Sequence, residues 1–304
     1  KDVSDRLDFD SKTFSFPTNS IKWMDWEIKN GKHAQSLLSD EIMAIIQSKS
    51  SKKLKSHHHL VSIVVPALNE ERSVQKVLHK LNLLNFFDYG LDKEIIFVDG
   101  GSTDNTFELA QREDGVKCFQ LKGKKGRGEA LSLGVSNSKG NIIVFFPSDD
   151  EYNVEEIYNI ISPILNNETK AVLGSRAIKC LNIDRRIMDI YDGNIISYFI
   201  SKYGGMILSI SSLLLFNKYV SDTLTTFKAF EGKLLKEMKV NSSGVDYDLE
   251  LIAKLSKKGE HILEIPVSYR PRHKNEGKKI TIFDGFSAIW ALVNEKFFKK
   301  SRNI

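Results

Sequence analysis

The residues best suited to chemistry stand at the end of an apolar run. Residues 142–146 are apolar without interruption, Pro147 follows, and three acidic residues, Asp149, Asp150 and Glu151, come soon after. An unbroken apolar run is typical of a strand buried on both faces, as in a parallel sheet covered by helices. Oxygen ligands on the loop after such a strand suit Mg²⁺ or Mn²⁺, which in turn hold diphosphates. The alternative is an acidic first turn of a helix.

The acidic loop, residues 147–151, is one of several strand ends that carry polar side chains. Strands are predicted at residues 60–65, 94–98, 116–121, 141–146 and 171–174, separated by single helices. This order predicts an α/β fold with right-handed crossovers and a mostly parallel central sheet flanked by helices. The carboxyl ends of parallel strands share one edge, where ligands bind. That edge would collect Asn69, Glu70, Asp99, Lys122, Arg127, Asp149, Glu151 and Arg176.

A glycine-rich turn follows the third predicted strand, and a helix is expected from Glu129. Gly123, Gly126 and Gly128 lie among basic residues, a composition that suits a metal-bound diphosphate. They do not fit the dinucleotide-binding fingerprint, because its glycines follow the first strand of the unit. The chain contains no Walker-type Gly-Lys-Ser/Thr, so the sequence does not support ATP hydrolysis.

The composition indicates a folded, mildly basic protein. The 304 residues are 41% hydrophobic, with a formal net charge of +5. This charge favours anionic ligands or an anionic membrane surface over nucleic acid. Two cysteines make neither a disulfide framework nor a zinc site, and the first ten residues are too polar for a signal peptide. A cytoplasmic location is therefore expected.

Residues 1–56 differ from the rest of the chain. They combine polar stretches, scattered aromatics, a helix-like apolar spacing and a Ser/Lys-rich end at residues 48–56. We interpret 1–56 as an accessory segment and linker, and 57–304 as the main domain with an amphipathic helix at its end. Three consecutive histidines, residues 57–59, cannot all face one ion from the start of a strand, so they are interpreted as linker.

Several motifs in order resemble a known family. Segments 64–71, 98–104 and 126–130, with the acidic loop, resemble a family 2 glycosyltransferase of the GT-A fold. The later motifs look like the dolichol- or polyprenyl-phosphate mannosyltransferase branch, and the resemblance spans about residues 60–298. These later motifs are residues 172–176, 221–230, 246–251, 264–270 and 276–280.

The resemblance implies a donor site for a nucleotide-diphosphate sugar. The loop after the first strand would line the nucleotide pocket, and Asp99 would bind the base or the ribose. Further contacts would come from basic residues after the third strand and from the start of the acidic loop. The implied donor-binding residues are Pro66, Asn69, Glu70, Asp99, Lys122, Arg127, Ser148 and Asp149.

The family also implies a divalent metal, Mg²⁺ or Mn²⁺, bound through an Asp-x-Asp motif. Here Pro147 takes the place of the first aspartate, Asp149 matches the second, and Glu151 matches a downstream glutamine that can approach the metal. Asp149 and Glu151 are therefore the implied ligands. The missing ligand weakens the expected metal affinity unless Asp150 or Glu151 compensates.

The remaining matches concern catalysis and the acceptor. Arg176 could contact phosphate, and Asp248 matches the position of the base in inverting relatives, although it could equally be a helix-start carboxylate. A hydroxyl acceptor needs a base, whereas a phosphate acceptor is already anionic and needs cations. The supply of cations favours a polyprenyl phosphate over a glycan hydroxyl, unless the basic loop is only a solvated surface. Its implied phosphate-binding residues are Arg270, Arg272, Lys278 and Lys279.

Two apolar segments bear on membrane contact. Residues 203–216 carry no charge but are too short to cross a bilayer of ~30 Å, so they predict a core or interfacial helix. The last predicted helix, 281–299, has an apolar face and a basic end. It could lie on the anionic inner face of a membrane, pack on its own domain, or contact a second subunit in a homo-oligomer.

The sequence thus predicts a metal-dependent, inverting glycosyltransferase. A nucleotidyltransferase on the same fold is disfavoured, because residues 67–71 are not the glycine-rich loop that such an enzyme needs after its first strand. A non-catalytic nucleotide-sugar binding protein is the other alternative, and Pro147 in the metal motif is its best support.

Overall fold

The computed structural model describes residues 59–86, 89–123, 125–178, 195–244 and 246–272, with positions 290, 293, 296 and 297 of a later helix. The predicted accessory segment lies outside these residues, as do Lys278 and Lys279. The strands are β1 (His59–Ala67), β2 (Leu91–Asp99), β3 (Val116–Gln120), β4 (Ile142–Phe145), β5 (Ala171–Ser175), β6 (Lys228–Glu231) and β7 (Ile262–Pro266). The helices are α1 (Val74–Leu83), α2 (Thr106–Gln111), α3 (Arg127–Asn137), a 3₁₀ turn (Val154–Glu156), α4 (Ile157–Leu165), α5 (Ile195–Phe216), α6 (Gly232–Glu237) and α7 (Asp246–Lys257).

The strands form one sheet in the order β3-β2-β1-β4-β6-β5-β7. Only β6 runs against its neighbours in this sheet, since it is antiparallel to both β4 and β5. The predicted α/β fold with a mostly parallel sheet is confirmed. Ala67 at the end of β1 is level with Asp99 at the end of β2, so the loops that follow these two strands lie side by side.

The core forms where the unbroken apolar runs predicted it. The four residues of β4 are at most 2% exposed, and Ile63, Val64 and Val65 of β1 are fully buried. Helices α3, α6 and α7 cover one face, and their apolar side chains join those of β4 and β6 in a single cluster. Burying such side chains contributes about 25 cal/mol per Å² of apolar surface, which makes this sheet a rigid support for the loops at its edge.

The structure differs from the sequence prediction in several elements. Strands β6 and β7 were not predicted, and Lys228 explains the first omission because a lysine interrupts the apolar pattern of β6. Helix α1 begins only at Val74, and Asn69, with a left-handed φ of 54°, lies in the loop before it. Helix α5 is longer than the predicted 203–216. None of the described helices is both long and apolar enough to cross a membrane.

Candidate active site

The loops after β1 and β2 are locked together by Asn69. Its backbone N–H donates to Ser102 Oγ at 2.8 Å, and its side-chain Oδ1 accepts from the Thr103 N–H at 2.9 Å. The left-handed φ of Asn69 is one that asparagine tolerates better than most residues. This arrangement fixes the backbone just before Glu70, whose N–H donates to Thr106 Oγ1 at 2.8 Å.

Asp99 lies fully buried beneath these loops. Its carboxylate accepts from the Ser102 N–H at 3.0 Å, from Ser102 Oγ at 2.5 Å and from Gln120 Nε2 at 3.0 Å. These bonds indicate that Asp99 shapes the turn after β2, and its contact with a base or ribose stays a prediction. Ser148 is tied to the same edge, because its Oγ donates to the Pro66 carbonyl at 3.0 Å.

Three carboxylates from two loops converge on the guanidinium of Arg272, and we call Glu70, Asp149 and Glu151 the acidic cluster. Nη1 and Nη2 of Arg272 reach the two oxygens of Glu70 at 2.7 Å and 3.2 Å. Nε of Arg272 lies 3.4 Å from Glu151 Oε1, and Nη2 lies 3.9 Å from Asp149 Oδ2. The sequence placed Glu70 and Asp149 at the donor site, Asp149 and Glu151 at the metal and Arg272 in the acceptor loop, but it did not predict that these side chains would contact one another.

The acidic cluster carries more negative charge than its one cation neutralises. Burial and the neighbouring Glu151 carboxylate raise the pKa of Asp149 to about 7. Burial alone would lower the pKa of Arg272, but its hydrogen bonds to Glu70 and the charge of Glu70 outweigh that effect and raise it. Three carboxylates face one guanidinium, so the cluster can accept further positive charge.

Asp150 does not join the acidic cluster. It has a left-handed φ of 58°, and its carboxylate pairs with Lys76 and Lys80 of α1, each at 2.6 Å. Burial would raise the pKa of Asp150, but its bonds to the two lysines lower it. Of the two residues predicted to compensate for Pro147, Asp150 is thus engaged elsewhere, and the role of Glu151, with Glu70 close by, stays a prediction.

The acidic cluster fits a divalent cation that arrives with a diphosphate. Mg²⁺ is commonly held by one or two carboxylates together with substrate phosphates and water. Asp149 and Glu151 would supply these carboxylates, and the excess of negative charge around Asp149 favours a cation. Among the described residues, no group of three or more acidic, histidine or cysteine side chains is arranged to hold a metal ion by itself.

The segment after β7 is attached to the acidic loop. Tyr269 donates its hydroxyl to Glu151 Oε2 at 2.7 Å, and the Arg272 N–H donates to Glu151 Oε1 at 2.9 Å. The Arg270 N–H donates to the Glu151 carbonyl at 2.8 Å, while the Arg270 side chain is exposed. The basic loop thus begins directly over the predicted metal ligands, and sequence reasoning missed Tyr269.

Arg176 is held by a partner that the sequence analysis did not identify. Its Nε and Nη2 bind the two oxygens of Asp222, each at 2.7 Å. The guanidinium carbon lies 5.1 Å from the centre of the Tyr269 ring, a distance typical of a cation–π contact. Arg176 therefore supports Tyr269, and its predicted contact with phosphate stays a prediction.

Asp248, the candidate base, lies in a second cluster, the buried triad of Arg127, Lys228 and Asp248. Lys228 Nζ donates to Asp248 Oδ1 at 2.7 Å, and Arg127 pairs with Oδ2. The side chains of Lys228 and Asp248 are 0% and 1% exposed. Burial, with the charge of nearby Arg127, lowers the pKa of Lys228 well below its usual range. Asp248 lies in the first turn of α7, as the helix-start alternative predicted.

The glycines around Arg127 have a packing role. A Cβ at Gly126 would lie 2.0 Å from the Ser243 carbonyl oxygen, and a Cβ at Gly128 would lie 2.4 Å from the Ser242 carbonyl oxygen. The Gly128 N–H also donates to Ser243 at 2.7 Å. This close approach is what brings Arg127 to the buried triad. Lys122, before this turn, is exposed, and its donor contact stays a prediction.

Comparison with protein families and curated proteins gives consistent matches. The model of Glycosyl transferase family 2 matches residues 62–224. The UDP-N-acetylglucosamine–dolichyl-phosphate N-acetylglucosaminyltransferase of Methanococcus voltae is 23% identical over 261 residues, covering 79% of this chain and 97% of that protein. The dolichol-phosphate mannosyltransferase of Pyrococcus furiosus is 26% identical over 239 residues, covering 77% of this chain and 63% of that protein.

Solved structures share the fold. Glucosyl-3-phosphoglycerate synthase from Mycobacterium tuberculosis, in complex with Mn²⁺, uridine-diphosphate-glucose and phosphoglyceric acid, superposes with a TM-score of 0.56 at 20% identity. The match covers 80% of this chain and 81% of that one. The predicted GT-A fold is therefore confirmed.

Proposed function

The chain belongs to glycosyl transferase family 2, and from that premise we propose that it transfers a sugar from a nucleotide-diphosphate sugar to a polyprenyl phosphate, with inversion at the anomeric carbon. It is a glycosyltransferase with a nucleotide-sugar donor. The observation that carries the proposal is the acidic cluster around Arg272, which brings carboxylates and a fixed cation to the carboxyl edge of the sheet. The names of the two dolichyl-phosphate relatives support the acceptor class.

The donor half of the reaction needs stabilisation of the leaving diphosphate. Asp149 and Glu151 would hold Mg²⁺ or Mn²⁺, which would neutralise charge on the diphosphate when bound. Arg272 adds a guanidinium that can form two parallel hydrogen bonds to phosphate oxygens. Tyr269 keeps Glu151 in place, and the Asn69 contacts keep the loop that carries Glu70 rigid, so little reorganisation is needed as charge develops.

The acceptor half follows from the surroundings of Asp248. An acceptor phosphate oxygen would attack the anomeric carbon while the bond to the diphosphate breaks and the nucleotide leaves with the electron pair. An anionic phosphate does not require proton removal, and Asp248 is buried against Lys228 and Arg127 rather than exposed as a base would be. Capture of the acceptor phosphate is assigned to the basic loop, with Arg270, Lys278 and Lys279.

Helix α5 supports contact with a membrane surface. Met206, Ile207, Ile210 and Leu214 are between 43% and 79% exposed, whereas its serines at 209 and 212 are buried. The opposite side of α5 packs on α7 through Leu208, which is 3% exposed and lies against Leu249 and Ala253, so the exposed apolar side chains face away from this contact. Residues 195–221 contain no acidic residue, so the exposed apolar face suits an anionic lipid surface, where a polyprenyl phosphate would be embedded.

The acceptor assignment is tested by transfer assays with two acceptors. We expect labelled sugar to move to polyprenyl phosphate, and Asp248→Asn to lower the rate per folded molecule less than tenfold. Loss of a general base would instead cost about 10²–10⁴-fold. A double alanine variant of Arg270 and Lys278 should weaken acceptor capture and leave donor binding unchanged. An inactive Asp248→Asn beside a healthy double variant, or transfer confined to a soluble glycan hydroxyl, would refute the phosphate acceptor.

The membrane contact is tested by vesicle sedimentation. Replacing Ile210 and Leu214 together by glutamate should lower binding to anionic vesicles, because it adds charge to the exposed apolar face. Since both side chains are exposed, the free energy of unfolding should change by less than about 0.5 kcal/mol. Replacing the exposed Gln75 of α1 and Gln111 of α2 together by glutamate adds the same charge away from α5 and serves as the control. Equal vesicle binding by the double variant and the unaltered chain would contradict the assignment.

A further inference from the structure

Arg272 takes up the oxygens that a metal would need. Oε1 of Glu151 accepts from the N–H and the Nε of Arg272, and Oε2 accepts from Tyr269. Both oxygens of Glu151 are therefore engaged by residues 269–272. Asp149, the other predicted ligand, lies 3.9 Å from the same guanidinium. An arginine is protonated at any physiological pH, so this positive charge is permanent.

We infer that Arg272 makes metal binding depend on the diphosphate: the guanidinium competes with the metal for Glu151 and Asp149 until a diphosphate draws it away. The inference rests on the proposed donor site and deepens it. It assigns Arg272 two successive partners, first the acidic cluster and then a diphosphate.

The exchange has a physical basis in the geometry of the guanidinium. Arg272 donates in a fork to Glu70, and a diphosphate offers the same paired oxygens with more negative charge. A cation bound at Asp149 and Glu151 would lie beside the guanidinium and repel it. Both positive charges become favourable together only when the anionic diphosphate is present to share them.

The consequence is a coupling between two ligands. A metal alone meets a site whose carboxylates are already paired, so it binds weakly. A diphosphate alone can accept hydrogen bonds from the Arg272 guanidinium only if that guanidinium leaves Glu70. Thermodynamic linkage requires each ligand to raise the affinity for the other by the same factor.

The experiment measures Mn²⁺ binding by electron paramagnetic resonance, with and without inorganic pyrophosphate, which carries the diphosphate but no base. Without pyrophosphate, Arg272→Gln should bind Mn²⁺ about tenfold more tightly than the unaltered chain, equivalent to about 1.4 kcal/mol. With Mn²⁺ saturating, the same variant should bind pyrophosphate more weakly. The opposite signs of these two effects identify competition, because a purely structural role would weaken both.

Two further variants sharpen the result. Arg112→Gln removes the same charge from an exposed position and should leave both affinities unchanged. Arg272→Lys keeps the charge but loses the paired N–H donors, so its affinities for Mn²⁺ and pyrophosphate should lie between those of Arg272→Gln and the unaltered chain. It replaces Arg272→Gln in the experiment if that variant does not fold.

Equal or weaker Mn²⁺ binding by a folded Arg272→Gln would overturn the inference, as would tight Mn²⁺ binding by the unaltered chain without pyrophosphate. These outcomes are independent of the transfer assay. Coupling without transfer to polyprenyl phosphate would refute the proposed acceptor alone, whereas transfer without coupling would refute this inference alone.

Discussion

The protein contains two clusters of carboxylate and cation that differ in their surroundings. In the buried triad, Lys228 and Asp248 are 0% and 1% exposed inside the packed sheet and helix layer, and Arg127 reaches them with a side chain that is 24% exposed. The carboxylates of the acidic cluster are 11% to 19% exposed and belong to loops, as does Arg272, which is 26% exposed. The triad has cations around one carboxylate, while the cluster has three carboxylates around one cation. The buried triad, with more cations than carboxylates, suits a structural role. The acidic cluster, which is more accessible and has more carboxylates than cations, suits the binding and release of a ligand.

The largest expected effect is on stability, from removing a cation of the buried triad. Lys228→Ala should lower the free energy of unfolding by about 3–5 kcal/mol, because it leaves the Asp248 carboxylate buried with less compensation. Urea unfolding measures this change. Lys170→Ala, which breaks an exposed pair with Glu260, is the control and should leave the free energy of unfolding nearly unchanged. A stability loss for Lys228→Ala as small as for Lys170→Ala would remove the contrast between the clusters.

The next effect is on ligand binding, from the acidic cluster. Asp149→Ala should lower Mn²⁺-dependent binding of a nucleotide diphosphate by about 10²-fold, since the diphosphate loses its bound cation. Its stability should hold or rise, because the Asp149 charge is unfavourable in the folded state. Calorimetry with Mn²⁺ gives the affinity.

Asp150→Ala is the matched control for this experiment. It removes a carboxylate from the same loop, but one that pairs with Lys76 and Lys80 instead of Arg272. Donor affinity should change little in Asp150→Ala. Similar losses in both variants would mean that general charge on the loop, rather than the acidic cluster, determines binding.

The smallest effect is a pH dependence of opposite sign for binding and stability. The folded-state pKa of Asp149 is about 7, above the ordinary value of 3.8. Its contribution to stability is therefore fully present below about pH 4 and is lost as the pH rises to 7. Metal-dependent donor binding needs the carboxylate, so it should weaken about tenfold per pH unit below 7.

Titrations of Asp149→Asn test this assignment. Thermal unfolding of the unaltered chain and of Asp149→Asn should converge only below about pH 4, and Asp149→Asn should be the more stable of the two at pH 8. Parallel curves across this range would show that Asp149 does not titrate near neutral pH.

The sequence predicted the sheet well and the contacts at its edge less well. β1 and β4 were recognisable because parallel strands covered on both faces are continuously apolar. β6 was not, because it begins at Lys228, a charged residue that is buried where it pairs with Asp248 of α7 and donates to the Thr225 carbonyl. Glu70 and Arg272 are 202 positions apart, and no local pattern records their contact. The strand order predicted which residues lie at the carboxyl edge of the sheet. Which of these side chains contact one another depends on side-chain geometry, which the sequence does not show.

The antiparallel strand β6 also has a consequence for how the chain folds. Strands β3, β2, β1 and β4 can pair as soon as residues up to Phe145 are available, but β5 contacts β4 only through β6. The second half of the sheet therefore waits for Lys228–Glu231, more than 50 residues after β5. Such non-local pairing is slow, and until it forms the edge of β4 is open to other strands. During synthesis, the emergence of β6 is the event that closes this edge and ends the period of greatest risk of aggregation.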